Sequence, residues 1–206
     1  MRRVQKVTGR KPDGVAGDGV KEAYWYRLRR LAGCILCLAL LCGAPAAMSA
    51  EPQSQPLAQP QGEVLLTITG LIGRHNGNGP DGKRLARFDR AMLEQLGVSE
   101  VVTATPWHAK TMRFEGVSLH AVLDAVEARG DTLQASALND YAAQIPVADA
   151  RRYNVILAMK ADGEPLTLRN KGPLFIIYPY DSDRALQTDS VYIRSVWQLN
   201  RLDVRP

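Results

Sequence analysis

VILAMKADGEPLTLRNKGPLFIIYP, residues 155–179, sets two strongly apolar runs on either side of an Asp-Gly pair. Asp162-Gly163 suits the left-handed positions of a tight hairpin turn, so residues 155–159 and 166–168 are expected to fold back on each other as strands. Residues 174–178 are apolar throughout, a further strand, and Pro179 closes it.

Working outward, Val64, Leu66 and Ile68 alternate with Leu65, Thr67 and Thr69, a strand that ends at Gly70. Phe88, Met92, Leu93 and Leu96 sit at helical spacing, with Gly97 as the residue after the helix. A strand is expected over 101–105. Ser118 is placed to cap a helix carrying Leu119, Val122, Leu123 and Val126 on one face, stopped by Gly130. Strands over 132–138 and 196–204 and one helical turn over 146–152 complete the pattern. Many short strands with a few inserted helices predict an α+β domain built on mixed β-sheet. No internal repeat is present.

Charge and cysteine divide the chain of 206 residues in two. Residues 1–50 hold nine Lys/Arg and three Asp/Glu; residues 51–206 hold the other 17 Lys/Arg and 18 Asp/Glu. The net charge of +5 therefore belongs to the N-terminal segment, and the body gives no electrostatic reason to expect nucleic acid. Cys34, Cys37 and Cys42 lie in the same segment, so nothing after residue 50 can form a disulfide, a zinc–thiolate site or a thiol nucleophile. Arg27, Arg29 and Arg30 precede an apolar run over 31–43 and the small-residue stretch APAAMSA, the layout of a secretory signal. Cleavage after Ala46 or Ala50 fits, and export to the periplasm or medium follows. An uncleaved membrane anchor is the minor alternative, since a span needs ~20 apolar residues. The domain organisation expected is a targeting segment over 1–50, a Pro/Gln-rich flexible linker over 51–62 and one folded domain over 63–206.

Several motifs fall to simpler readings. GNGPDGK (77–83) mimics a phosphate loop, but Arg84 stands where a Ser or Thr is needed, and Pro80 removes a cradling N–H. His75, His108 and His120 lie at no metal-ligand spacing, and no metal ligand is assigned. Asp181 and Asp183 lack the glycine and glutamate of a calcium loop and read as turn and helix-cap residues. No GxSxG elbow occurs, so no catalytic residue is assigned.

Four stretches together resemble the molybdopterin-binding oxidoreductase domain of the sulfite oxidase family. They are FEGVSLHAVLDAV (114–126), SALNDYAAQIP (136–146), LAMKADGEPLTLRNKGPLFIIYP (157–179) and SVWQLNRLDV (195–204). The likeness runs from about Val64 to Val204 and is nearest to short, exported, single-domain members without haem or dimerisation domains. It implies a sulfite oxidase-type fold, a cleft for a molybdenum–pterin cofactor and no haem. It also implies a cysteine ligand in the loop before the F-x-G-V-x-L pattern. That loop here is TATPWHAK (103–110), with Thr105 or Pro106 near the position. A proline offers no ligand, and a neutral hydroxyl is a harder donor than thiolate and ionises poorly near neutral pH. His-Gly-Gly-Pro-Leu-Arg of the enzymes is replaced by Asn170-Lys171-Gly172-Pro173-Leu174-Phe175, and Val-Lys-Trp by Ser195-Val196-Trp197. Arg169 and Lys171 are left to supply charge for an anion.

The residues expected to line the cleft are Thr105, Trp107, His108, Asn139, Asp140, Tyr141, Arg169, Asn170, Lys171 and Trp197. Three functions compete. One is an exported ligand-binding, sensory or accessory module that has lost sulfite-oxidase-type catalysis and meets a small anionic or pterin-like ligand or a membrane protein partner. Another is an active oxidoreductase whose molybdenum is held by the pterin dithiolene alone. The third is a structural partner near the membrane. Fold likeness alone does not choose among them.

Overall fold

Asp162 and Gly163 adopt φ of 49° and 83°, the left-handed pair a tight hairpin demands; the strand before them is an inner strand of its sheet, and the two-residue strand after them pairs with that strand alone. The computed structural model describes residues 56–206; the expected targeting segment and residues 51–55 of the linker lie outside the described residues. In chain order the elements are β1 (Val64–Gly70), β2 (Gly77–Asn78), β3 (Arg84–Asp89), α1 (Arg90–Gln95), β4 (Ser99–Thr103), β5 (Met112–Ser118) and α2 (Leu119–Ala125). They continue with β6 (Thr132–Ala137), β7 (Ala142–Pro146), α3 (Val147–Arg152), β8 (Ile156–Ala161), β9 (Glu164–Pro165), β10 (Phe175–Ile177), α4 (Asp189–Tyr192) and β11 (Leu199–Arg205). The α+β class read from the sequence is the one observed.

Two sheets organise these strands. The first runs β2-β3-β1-β11-β6-β7, the second β10-β8-β5-β4 with β9 on β8. Among the described residues only β1 and β11 pair in parallel, Ile68 opposite Leu202, which joins the two ends of the domain. The first sheet buries one face: Leu66, Ile68, Phe88, Leu133, Ile145 and Leu202 enter the main core, while Thr67, Gln134 and Arg201 alternate on the other side. The second sheet is buried on both faces. Leu157, Met159 and Ile176 join the main core; Phe114, Ile156, Ala158, Phe175 and Ile177 form a smaller core behind it. Double burial accounts for the unbroken apolar runs on either side of the Asp-Gly turn.

The structure redraws several expected boundaries. Phe88 belongs to β3, and the helix begins two residues later, because Asp89 caps it by accepting from Met92 N at 2.9 Å. Helix α2 ends before Gly130, whose own role is a close approach: an added Cβ would stand 2.1 Å from the Arg205 carbonyl oxygen. Ser118 occupies its N-cap position but makes no side-chain cap bond. Leu168 leaves the hairpin for a 3-10 turn over Leu168–Asn170, because Thr167 and Asn170 form a capping box there. GNGPDGK is the turn of the β2–β3 hairpin, closed by Gly79 N donating to Lys83 O at 2.8 Å, and a strand follows it. Ahead of β1, Gln61 N and Gly62 N donate to Asp89 Oδ2 at 2.7 and 2.8 Å, and Leu57 packs on the main core. No helix among the described residues is long and apolar enough to cross a membrane.

Candidate functional site

TATPWHAK connects two antiparallel strands, β4 and β5, where the sequence pattern suggested a strand-to-helix connection. The F-x-G-V stretch is itself strand: Phe114 enters the smaller core, Val117 the main one, and the helix starts at Leu119. The loop is pinned at its start. Asp181 Oδ2 accepts from Ala104 N at 2.7 Å, and Asp181 N donates to Thr103 Oγ1 at 3.1 Å. Asp181 is thus a loop clamp, and Asp183 caps the next 3-10 turn by accepting from Ala185 N at 2.9 Å.

Within the loop the Thr105 hydroxyl is buried and engaged. Its Oγ1 lies 2.7 Å from His108 Nδ1 and accepts from Trp107 N at 3.3 Å. Burial first, and then the nearby Lys171 charge, hold the His108 pKa below its ordinary value of 6.5, with Asp162 opposing. A neutral imidazole leaves Nδ1 free to accept the Thr105 proton.

Trp107 stands where the two cores meet. Its ring centroid lies 5.7 Å from Phe175, 5.8 Å from Trp197, 6.1 Å from Tyr192 and 6.3 Å from Tyr180, all edge-on. Such pairs contribute about 0.5–1.5 kcal/mol each beyond burial. Trp107 and Trp197 open onto a cleft of about 270 Å³ completed by Asn139, Tyr141, Tyr192, Ile193 and Ser195. Lys171 Nζ lies 5.7 Å from the Trp197 ring centroid. Its backbone is fixed by a left-handed φ of 76° and by Gln198 N donating to Lys171 O at 2.9 Å.

The ten residues expected from the sequence therefore divide. Trp107, Asn139, Tyr141 and Trp197 line one cleft, with Lys171 over one of its rings and Thr105–His108 in the loop behind Trp107. Asp140 is at an exposed turn tip with φ of 64°, Arg169 is exposed, and Asn170 accepts from Thr167 within its own turn. None of these three lines the cleft. Larger grooves of about 750 and 830 Å³ lie elsewhere, but no aromatic side chain lines either.

Tyr192, Ile193 and Ser195 escaped the sequence reading. Tyr192 ends α4, and Ile193 and Ser195 follow it; the helix opens at Thr188-Asp189, a pair that could have marked a helix start. A buried network holds the segment. Arg194 Nη1 donates to Asp149 Oδ2 at 2.7 Å, Tyr178 OH donates to the same oxygen at 2.8 Å, and Tyr180 OH shares a hydrogen bond with Ser195 Oγ. Burial, and then the Asp149 carboxylate, push the Tyr178 phenol well above its ordinary 10.0; burial does the same to Tyr180. The folded state keeps two protons that an unfolded chain releases above that value, so stability is full below about pH 10 and falls as pH rises further. Between about pH 9 and pH 11 melts are expected to show a total loss of about 1.4 kcal/mol per tyrosine, most of it above about pH 10. Tyr178→Phe should flatten that slope; an unchanged slope would count against buried phenols as its cause.

The donor set does not fit a thiolate-ligated molybdenum. No group of three or more His, Cys, Asp or Glu among the described residues is arranged to hold a metal. Every cysteine precedes Gly43, and the Thr105 hydroxyl is committed to His108. Among the described residues Lys171 sets its ammonium against the ring of the cleft residue Trp197, without itself lining the cleft.

Residues 87–181 match the family model described as the oxidoreductase molybdopterin binding domain. The match takes in the 103–110 loop and Lys171 and ends before Tyr192 and Trp197. Among solved structures, the sulfane dehydrogenase SoxCD from Paracoccus pantotrophus superposes with a TM-score of 0.49 at 18% identity, over 68% of this chain and 37% of that one. The chain thus spans little more than a third of the SoxCD chain it matches. No curated protein matches the chain.

Proposed function

From the premise that the chain carries an oxidoreductase molybdopterin-binding domain over residues 87–181, we propose that it acts as an exported ligand-binding, sensory or accessory module and not as a sulfite-oxidase-type catalyst. The observation that carries this reading is the Thr105 hydroxyl, buried and hydrogen-bonded to His108 in the loop where the resemblance implies a cysteine ligand. A secondary alcohol held by an imidazole is a poor substitute for a soft thiolate, which tunes a redox metal through its sulfur. What the domain retains is a scaffold, an aromatic cleft and a lysine. These suit a small anionic or pterin-like ligand, with a membrane protein as the partner that would read its occupancy.

Export rests on the signal layout of residues 27–50. A mature N-terminus at Ala47 or Glu51 is expected by mass spectrometry; an intact N-terminus would support the anchored alternative. The mature protein, purified from its native compartment, should show no sulfite-dependent reduction of an electron acceptor. Turnover that follows molybdenum content would overturn the proposal and favour metal held by the pterin dithiolene alone.

A further inference from the structure

The cleft at Trp107 and Trp197 specifies its ligand by size, shape and charge. Its volume of about 270 Å³ falls just under the ~300–1,000 Å³ of cavities that take drug-sized molecules. That size suits one ring or two fused rings. The lining is four aromatic side chains with Asn139, Ile193 and Ser195, and it includes no carboxylate and no cation.

Mutually perpendicular aromatics without a charge could form a cage for a quaternary ammonium. Lys171 argues against a cation. Its ammonium lies 5.7 Å from the Trp197 ring centroid and has no carboxylate partner among the described residues. No acidic side chain lines the cleft to offset a second positive charge. The unused polar groups point the same way. Asn139 accepts from Tyr141 N through Oδ1, leaving its amide N–H₂ without a partner among the described residues. The indole N–H groups of Trp107 and Trp197 and the Tyr192 hydroxyl are likewise unpartnered among them. Ser195 and Tyr141, by contrast, spend their hydroxyls on Tyr180 and on the Ile193 carbonyl. The cleft therefore offers flat apolar surface and several donors, and the one ammonium against its aromatics among the described residues, that of Lys171 on the Trp197 ring, stands outside the lining itself.

We propose that this cleft binds a small planar aromatic anion, one or two fused rings bearing a carboxylate or similar acidic group, stacked against the Trp107–Trp197 pair with its charge on the Lys171 side. The assignment rests on the reading of the domain as a ligand-binding module and names the class of ligand. Lys171 is its specificity residue.

The test holds the ring constant and varies the charge. 2-Naphthoate, 2-naphthamide and 2-naphthyltrimethylammonium are titrated into the mature protein by calorimetry. Naphthoate should bind most tightly and the ammonium least, with about tenfold between the carboxylate and the amide. Lys171→Gln, which alters a half-buried surface side chain, should abolish the preference for naphthoate over naphthamide. Tightest binding by the ammonium, an unchanged order in Lys171→Gln, or no heat from any of the three at ~1 mM would overturn the assignment. Molybdenum analysis of the same preparation separates the two ideas. Stoichiometric metal with the naphthoate preference intact sinks the non-catalytic reading and upholds the ligand class. A metal-free protein without the preference sinks the ligand class alone.

Discussion

Gly116→Ala is expected to unfold the domain or cost about 4 kcal/mol or more, in the range reserved for backbone clashes in a core. A Cβ at this position would stand 2.0 Å from the Leu157 carbonyl oxygen and 2.7 Å from Ala158 Cα, both backbone atoms of the neighbouring strand. No rotamer relieves that contact, because a Cβ has none. Gly116 is also where the β5–β8 ladder slips register, between Glu115 and Gly116, so the chains approach most closely at an irregularity. β5 is central in its sheet, paired with β4 on one side and β8 on the other. Pushing it away from β8 separates Phe114 from the smaller core and Val117 from the main one. Chemical denaturation of Gly116→Ala, or its yield as soluble protein, measures the loss. The neighbouring exposed-edge change Val102→Ala, at a residue 53% exposed, should cost about 0.5 kcal/mol or less. A Gly116→Ala protein as stable as wild type would refute the close strand approach.

Asp149→Ala should cost about 3 kcal/mol, because it leaves the Arg194 guanidinium without its carboxylate partner in a largely buried setting. The side chains of Arg194 and Asp149 are 25% and 13% exposed, so the figure is taken at the lower end for buried pairs. Tyr178, wholly buried, loses its acceptor in the same step. The expected fall in Tm is about 10 °C. The double variant Asp149→Ala/Arg194→Met should recover at least half of it, since removing both charges removes the stranded cation. A functional consequence follows from chain position. Arg194 lies between Ile193 and Ser195, which line the cleft, and its ion pair fixes that segment against α3. Naphthoate binding to the folded fraction of Asp149→Ala should therefore weaken. Unchanged stability would show that the ion pair contributes nothing net.

Much of this architecture can be read from local chemistry. The Asp162-Gly163 hairpin was legible because only a few residues tolerate two successive left-handed positions. The apolar runs on either side were legible as strands because sheets covered on both faces need no polar alternation. β5 was not legible. Its core positions are Phe114, Gly116 and Val117, and the glycine breaks the alternation that a bulged strand would otherwise show. β7 was hidden differently, in Ala142-Ala143-Gln144-Ile145-Pro146, where small residues carry half the pattern. The parallel pairing of β1 with β11 joins residues more than 130 apart, Thr69 and Asp203 sharing a 2.9 Å hydrogen bond, and no local signal encodes it.

The site was legible in the same uneven way. Trp107 and His108 stood out because a Trp-His pair in a short loop is costly to place unless the fold uses it. Asn139 and Tyr141 came from the same N-D-Y stretch of the family resemblance as Asp140; in the structure Asn139 Oδ1 accepts from Tyr141 N at 3.2 Å, a local turn bond. Tyr192, Ile193 and Ser195 were invisible because tertiary contacts, chiefly the Asp149–Arg194 ion pair and the Tyr180–Ser195 hydrogen bond, bring them to the cleft. Arg169, Asn170 and Asp140 were drawn in by motif position alone. Their side chains turned out to be exposed or spent on their own turn.

The most direct measurement is the molybdenum content per chain of the mature protein purified from its native compartment, with pterin fluorescence read on the same sample. Molybdenum at background is the result the proposed reading expects, since the 103–110 loop holds a buried Thr105 hydroxyl and no cysteine. Stoichiometric molybdenum with released pterin, accompanied by substrate-dependent electron transfer, would contradict it.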